Sequence, residues 1–142
     1  AGSTLSIGGK SVVLSSSTMI ENAAAGDGND TVSGGSGLDT IYGGEGNNTL
    51  SGGNSSDFIY GGSGVDTING DDGNDTIYGY GGDDRINVSR NPRPEAADMA
   101  ICGDGDDTAW LDFPLPSPIS SLTQLRGDGA DSDCETITPV FS

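Results

Sequence analysis

An aliphatic residue recurs every nine positions between Ala25 and Asn87, usually preceded by threonine. The segment divides without a gap into seven repeats, numbered 1 to 7, which begin at Ala25, Gly34, Gly43, Gly52, Gly61, Gly70 and Gly79. The eighth position holds Val32, Ile41, Leu50, Ile59, Ile68, Ile77 and Ile86. One inward aliphatic beside a β-branched residue is typical of a strand. The pattern therefore predicts a strand of three residues and a turn of six residues in each repeat.

Glycines at the first, second and fourth positions of the repeats predict the turns. Glycine adopts positive φ without steric cost and leaves the backbone carbonyls accessible. A unit this short cannot bury its apolar side chain alone, so neighbouring units must stack. The period therefore predicts a solenoid with two repeats per coil. Its core is a thin column of the eighth-position aliphatics, with successive repeats on alternate sides.

The sixth position is acidic in every repeat except one. It holds Asp30, Asp39, Asn48, Asp57, Asp66, Asp75 and Asp84. Aspartate is also common in turns that bind no metal, but its recurrence at a fixed spacing favours a ligand role. Calcium accepts about six to eight oxygen ligands, including carbonyls, in a flexible geometry, whereas magnesium demands a tighter octahedron. The pattern therefore predicts several bound calcium ions.

Composition and charge narrow the possible functions. The chain has 142 residues, 32% of them apolar, and a formal net charge of -17. Its 5 basic residues are a poor match for a nucleic acid backbone. The absence of histidine excludes a histidine-based triad and an HExxH zinc site. No apolar run approaches the ~20 residues that a membrane span needs, so multivalent cations are the partners that this chain attracts most strongly.

The repeat G-G-x-G-x-D-x-U-x, where U is aliphatic, resembles the calcium-binding nonapeptide of the RTX (repeats-in-toxin) family. Serralysin-type proteases carry such repeats in their C-terminal domains, as do other secreted bacterial proteins. The resemblance implies an all-β, right-handed parallel β-roll. It also implies that each calcium ion lies between repeats n and n+2. The earlier repeat would supply the carbonyls of its second and fourth positions, the later repeat those of its first and third, and both their sixth-position side chains.

The ligand carbonyls that the resemblance implies form two sets. The second and fourth positions give Gly26, Gly28, Gly35, Gly37, Gly44, Gly46, Gly53, Ser55, Gly62, Gly64, Gly73 and Gly82. The first and third positions give Gly43, Gly52, Asn54, Gly61, Ser63, Gly70, Asp72, Gly79, Gly81 and Asp104. Among the departures from the pattern, two affect the predicted ligands. Asn48 removes one charge from each of two sites, and Ser55 replaces a glycine at some conformational cost.

The segment before the repeats differs from them in sequence. Residues 1–24 contain scattered aliphatics and the pair Gly8-Gly9. They predict an N-terminal cap of two or three short strands with a turn at the glycine pair. Such a cap would protect the open end of the solenoid from pairing with other chains.

The C-terminal side is less regular. The roll is expected over residues 25–110, with an interruption at 88–92. After the interruption the period resumes, with Asp98 and Asp107 in the acidic slots. Residues 111–142 have no regular period and predict a C-terminal cap.

Cys102 and Cys134 are the two cysteines of the chain. An even pair in an acidic, glycine-rich chain favours a disulfide and an oxidising compartment over two free thiols. The segment 133–135, Asp-Cys-Glu, also resembles one that closes many secreted RTX modules. There the second cysteine pairs with one at the head of a late repeat, which implies a disulfide between Cys102 and Cys134 that clips the C-terminal cap.

Three functional hypotheses follow from these features. The leading one is a non-enzymatic calcium-binding module of a secreted bacterial protein, which folds outside the cell when calcium binds. A second is an adhesive protein that assembles head to tail through the ends of the roll. A third is an accessory module of a longer secreted protease or polysaccharide-modifying enzyme. Acidic pairs such as Asp83-Asp84 could suggest glycosidase chemistry, but metal ligation explains them more simply, so no catalytic residue is assigned.

Overall fold

All regular secondary structure in the described part of the chain is β-strand. In the computed structural model the described residues are 4–6, 11–13, 21–88, 98–113 and 136–141, and the described side chains are those of residues 22–88 and 98–110. No helix in these ranges is long and apolar enough to cross a membrane. The strands are β1 Thr4–Ser6, β2 Ser11–Val13, β3 Glu21–Asp27, β4 Thr31–Gly35, β5 Asp39–Glu45, β6 Thr49–Asn54, β7 Phe58–Ser63, β8 Thr67–Asp72, β9 Thr76–Gly81, β10 Arg85–Asn87, β11 Met99–Asp104, β12 Thr108–Phe113 and β13 Thr136–Phe141.

The strands form two parallel sheets. Sheet 1 has the order β1-β3-β5-β7-β9-β11, and sheet 2 has the order β13-β12-β10-β8-β6-β4-β2. Within the repeats each strand pairs with the strand two places along the chain, so that Thr40 lies beside Phe58 and Thr49 beside Thr67. These partners are two repeats apart. The arrangement confirms the predicted parallel β-solenoid with two repeats per coil.

The core is the predicted column of eighth-position aliphatics. Each of these side chains is at most 1% exposed, and residues in neighbouring coils lie in register. Sheet 1 contributes Ile41, Ile59 and Ile77, and sheet 2 contributes Val32, Leu50, Ile68 and Ile86. Burial stabilises the fold by about 1.5–3 kcal/mol for each such side chain. The core is therefore only one aliphatic side chain wide on each sheet.

The strands are longer than the three residues predicted from the repeat. Strands β4 to β9 span five to seven residues, because the ladder continues through the glycines of the following repeat. Gly44 pairs with Gly62 in this way. The second and fourth positions have positive φ, as predicted, except at Gly37, but the first position does not. Its glycine is required by close approach, since a Cβ at Gly34 would lie 2.3 Å from the Gly52 carbonyl oxygen.

The first two strands belong to the solenoid. Strand β1 pairs in parallel with β3, which places Leu5 beside Ala23, and β2 pairs with β4, which places Val12 beside Val32. These strands extend both sheets by one coil, at the end of the roll where the sequence predicted a cap of two or three short strands. The predicted turn at Gly8-Gly9 lies outside the described residues.

The period resumes in register after the interruption. Met99 lies beside Thr76, and Thr108 lies beside Arg85. Strand β13 then adds one more strand to sheet 2 by pairing in parallel with β12. Residues 89–97 and 114–135, which include Cys134, lie outside the described residues. The C-terminal cap and its disulfide therefore stay predictions.

The two sheets present different outer faces. Even-numbered repeats end in tyrosine, so Tyr42, Tyr60 and Tyr78 stack on sheet 1 with ring centroids 4.7 and 5.2 Å apart. Phe58 and Tyr80 are exposed on the same face. Odd-numbered repeats end in serine or asparagine, so sheet 2 presents polar side chains there. Aromatic pairs contribute about 0.5–1.5 kcal/mol each beyond burial, and the stack therefore reinforces sheet 1.

Replacing Ser55 by glycine should stabilise the roll. Ser55 is exposed and has a φ of 92°, which disfavours residues with a Cβ by about 1–2 kcal/mol. Part of the gain is offset because glycine makes the unfolded chain more flexible. We expect a net stabilisation of about 1 kcal/mol in urea denaturation followed by circular dichroism.

The matched control is Ser63→Gly. Ser63 is also exposed, but its φ is not positive. Glycine there should destabilise the roll by about 0.5–1 kcal/mol. Equal effects of the two substitutions would contradict a conformational cost at Ser55.

Candidate metal centres

The sixth-position side chains form two buried columns at the starts of the strands. Side chains alternate along a strand, so the sixth position points inward, as the eighth does. The column beside sheet 1 contains Asp39, Asp57, Asp75 and Asp98, and the column beside sheet 2 contains Asp30, Asn48, Asp66, Asp84 and Asp107. All except Asp98 are at most 2% exposed. The structure therefore removes a row of carboxylates from water on each side of the roll.

One oxygen of these side chains links neighbouring coils. The Asp39 N–H donates to Asp57 Oδ1 over 2.8 Å, and the Asp57 N–H donates to Asp75 Oδ1 over 2.9 Å. The ladder continues across the interruption, where Asp98 and Asp107 accept the N–H groups of the acids one coil earlier. The structure thus places both residues in the slots that the sequence assigned to them.

The second oxygen has no such partner at four positions. The Oδ2 atoms of Asp57, Asp66, Asp75 and Asp84 are buried and accept no hydrogen bond from the described residues. An unsatisfied buried polar atom costs about 1–3 kcal/mol, and more when it is charged. These oxygens therefore require a positive partner or a proton.

Burial also changes the pKa of these carboxylates. Burial raises the pKa of Asp57, Asp75 and Asp84 to about 7, and neighbouring carboxylates add to the shift. Burial raises the pKa of Asp66 as well, although hydrogen bonds from the Asn48 backbone and side chain oppose the rise. The local field of both columns therefore favours bound cations.

Backbone carbonyls face the same oxygens. A Cβ built at Gly52 would lie 2.5 Å from Asp57 Oδ2 and 2.7 Å from the Gly70 carbonyl oxygen. A carboxylate oxygen and a carbonyl from the next coil thus line the space beside Gly34, Gly52, Gly61 and Gly79. Oxygen donors of these two kinds are the ligands that calcium uses in proteins. The residues present fit a calcium ion.

The other predicted carbonyls lie between the coils too. A Cβ built at Gly62 would lie 2.0 Å from the Gly44 carbonyl oxygen, which shows that the second-position carbonyl points along the roll axis. Among the described fourth positions, Gly37 alone does not have a positive φ. Third-position carbonyls such as that of Ser63 already accept a backbone N–H, here from Gly46 over 2.8 Å. They keep one lone pair for a metal ion.

One candidate ligand was missed from the sequence. The Cys102 carbonyl oxygen would lie 2.1 Å from a Cβ built at Gly79, beside Asp84 Oδ2 at 2.5 Å. It occupies the place that a first-position glycine carbonyl has in the earlier coils. The signal was present, because Cys102 stands first in the late repeat that contains Asp104 and Asp107.

A second ladder at the fifth position was also missed. The Asn47 N–H donates to Asn29 Oδ1 over 2.8 Å, and the Val65 N–H donates to Asn47 Oδ1 over 3.0 Å. Here the earlier coil provides the acceptor, whereas at the sixth position the later coil provides it. The turns are therefore linked in both directions. The signal was the recurrence of asparagine, aspartate or serine at a position that the repeat formula leaves open.

Asn48 differs from the carboxylates in its column. Its Oδ1 accepts the Asp30 N–H over 3.0 Å, like the Oδ1 of an aspartate. Its Nδ2 donates to the Gly46 carbonyl over 3.2 Å, so its second polar atom is satisfied within its own repeat. In the described residues, the two columns included, no three carboxylate or cysteine side chains cluster around one point. Most donors at these centres are therefore backbone carbonyls.

Without divalent ions the roll should be more stable at pH 5 than at pH 8. The pKa of Asp57, Asp75 and Asp84 rises from 3.8 to about 7 on folding. The folded state therefore binds protons more tightly than the unfolded state, and stability is lost as the pH rises through 7. Circular dichroism of metal-free protein between pH 4 and pH 8 measures the effect.

The control compares two substitutions of the same kind. Asp57→Asn removes one of the groups with a raised pKa and should flatten the pH dependence. Asp72→Asn, at an exposed side chain, leaves all three of these groups in place and should not. A metal-free roll that gains structure between pH 5 and pH 8 would contradict the assignment.

Comparison with known proteins identifies the repeats. The family model described as the RTX calcium-binding nonapeptide repeat matches residues 24–59 and 60–90, with four copies. No curated protein and no solved structure matches the chain. RTX nonapeptide repeats bind Ca²⁺, several ions per repeat module. The repeat segment of this chain, residues 24–90, therefore belongs to the RTX calcium-binding nonapeptide repeats.

Proposed function

We propose that this chain is a non-enzymatic, calcium-dependent structural module of a secreted bacterial protein. The observation that carries the proposal is the set of buried Oδ2 atoms of Asp57, Asp66 and Asp84, each of which lies beside a backbone carbonyl of the next coil. A divalent cation satisfies these oxygens and neutralises their charge at once. RTX repeat proteins are typically secreted bacterial proteins, which supports the proposed location.

The ions are proposed to lie between repeats n and n+2. In the gap between repeats 4 and 6, Asp57 and Asp75 supply carboxylate oxygens, as the orphaned Oδ2 of Asp57 beside the Gly70 carbonyl supports. The carbonyls of Gly53, Ser55, Gly70 and Asp72 complete this set. The same rule gives a site with Gly62, Gly64, Asp66, Gly79, Gly81 and Asp84, and another with Gly35, Gly37, Asp39, Gly52, Asn54 and Asp57. The pairs Asp75 with Asp98 and Asp84 with Asp107 extend both columns.

Calcium concentration then acts as the signal for folding. At the low calcium of a cytoplasm the 17 net negative charges repel one another and favour the unfolded chain. At the higher calcium outside a cell the binding free energy becomes folding free energy. A disulfide between Cys102 and Cys134 fits the same oxidising compartment. An intact mass lower by two hydrogen atoms than the fully reduced mass would support that bond.

Calcium should drive folding of the full chain. Removing the ions leaves several buried carboxylates without a counter-charge, and the core of one aliphatic per repeat is too thin to offset them. We expect a weak β signal in EDTA and a cooperative gain of β structure on adding calcium, measured by circular dichroism. Equimolar magnesium should not replace calcium, because it requires a tighter octahedron and retains water. Identical spectra in EDTA and in calcium would refute the proposal.

Asp57→Ala should weaken calcium binding at two sites, because the Asp57 side chain faces the gaps on both sides of its coil. A unit charge about 4 Å from another is worth about 4 kcal/mol at an effective dielectric of 20. Because this energy favours binding, we expect its loss to lower the calcium affinity at least tenfold in calorimetric titration.

The matched control is Asp72→Ala, which removes the same charge. The Asp72 side chain is exposed, and only its backbone carbonyl is proposed as a ligand. Alanine keeps that carbonyl, so the affinity should change far less. Equal losses in the two variants would show that net charge, rather than ligation by Asp57, determines binding.

A further inference from the structure

The Asn48 amide has a fixed orientation in the column beside sheet 2. The Asp30 N–H of the preceding coil donates to Oδ1 over 3.0 Å, as backbone N–H groups do at the carboxylates of the columns. An amide nitrogen could not accept that bond. Because Oδ1 must face Asp30, Nδ2 must face the gap between repeats 3 and 5.

Nδ2 occupies the place that a carboxylate oxygen has in the other coils. A Cβ built at Gly43 would lie 2.9 Å from Asn48 Nδ2 and 2.3 Å from the Gly61 carbonyl oxygen. At Gly52 the corresponding atoms are Asp57 Oδ2 and the Gly70 carbonyl oxygen. The gap between repeats 3 and 5 therefore contains a hydrogen-bond donor where the gap between repeats 4 and 6 contains a negative oxygen.

The donor is directed at groups that would otherwise bind an ion. It donates to the Gly46 carbonyl, a fourth-position carbonyl of the ligand set, over 3.2 Å. The Asn48 side chain also interacts with the Asp66 carboxylate across the gap. The positive end of the amide dipole thus points at both donor types of the site. A cation could enter only by breaking the bond to Gly46 and approaching the N–H protons.

We propose that the Asn48 amide takes the place of a calcium ion between repeats 3 and 5. The proposal rests on calcium binding by the other coils and specifies one gap that binds none. The amide makes this gap self-sufficient, because Nδ2 satisfies the Gly46 carbonyl, the Asn48 backbone N–H satisfies Asp66 Oδ1, and no carboxylate oxygen lies beside Gly43. The column beside sheet 2 is therefore divided at this coil into two metal-binding segments, while the column beside sheet 1 is continuous.

The first test counts the ions bound by the full chain at saturation, using native mass spectrometry with calcium alone. Asn48→Asp replaces the amide nitrogen by an oxygen and should bind one more ion than the natural sequence. Asn47→Asp is the control, since it adds the same charge one residue away at an exposed side chain whose oxygen still accepts the Val65 N–H. It should bind the same number of ions as the natural sequence.

The reverse substitution provides a second variant. Asp57→Asn keeps an Oδ1 that accepts the Asp39 N–H and places an amide nitrogen beside the Gly70 carbonyl. It should bind one ion fewer. If either Asn48→Asp or Asp57→Asn binds the same number of ions as the natural sequence, the proposal is overturned.

A third measurement does not depend on counting ions. In calcium the side-chain amide protons of Asn48, assigned by their loss in Asn48→Asp, should exchange at least about tenfold more slowly than those of the exposed Asn54, because they are buried and hydrogen-bonded. Equal exchange rates would overturn the proposal, since an ion in the gap would turn the amide away from it.

The two proposals fail in different ways. A natural chain that binds no calcium would refute the proposed function. A natural chain that binds calcium, together with an Asn48→Asp variant that gains no ion, would refute only the role of the amide.

Discussion

The structure depends on buried carboxylates that are spaced one coil apart. Two unit charges about 5 Å apart repel by roughly 3 kcal/mol at an effective dielectric of 20. The columns contain several such neighbours, and the Oδ2 atoms of Asp57, Asp66, Asp75 and Asp84 accept no hydrogen bond from the described residues. An apolar core of one aliphatic per repeat cannot offset this repulsion. The fold is therefore coupled to its cations, and the glycines that hold carbonyls beside the carboxylates serve the same purpose.

Because the sequence repeats every nine residues, equivalent positions in successive coils form columns along the roll. Two repeats make one coil, so each residue lies beside its equivalent 18 residues away. The sixth position links a coil to the next one through side-chain acceptors in the later coil, and the fifth position does so through acceptors in the earlier coil. A single substitution therefore affects two gaps, one on each side of its coil. Asn48 is an example, because its Oδ1 accepts the Asp30 N–H and its Nδ2 donates to the Gly46 carbonyl.

The regular part of this architecture could be predicted from the sequence because it is repeated. Seven recurrences of one pattern determine the solenoid, its core and the slots of the acids, even across the interruption before Asp98. The first strands could not be assigned in this way, because Leu5 and Val12 join the sheets through coil geometry and not through a repeat motif. The steric requirement for glycine at the first position could not be predicted either, since the contact of Gly34 with the Gly52 carbonyl exists only after the coils stack. The fifth-position ladder could not be predicted from one residue type, because Asn, Asp and Ser all act as acceptors there and Val65 does not.

The two elements that need no ion lie on the same central coils. On sheet 1 the rings of Tyr42, Tyr60 and Tyr78 form a stack in which successive centroids are 4.7 and 5.2 Å apart, and they lie outside the metal columns. On the sheet 2 side the Asn48 amide satisfies its own gap through Gly46. Neither element needs an ion, whereas the outer coils have the aliphatic column, with Val32 and Ile86, and their carboxylate gaps. Stability without metal is therefore concentrated in repeats 2 to 6, and the ions extend it towards both ends.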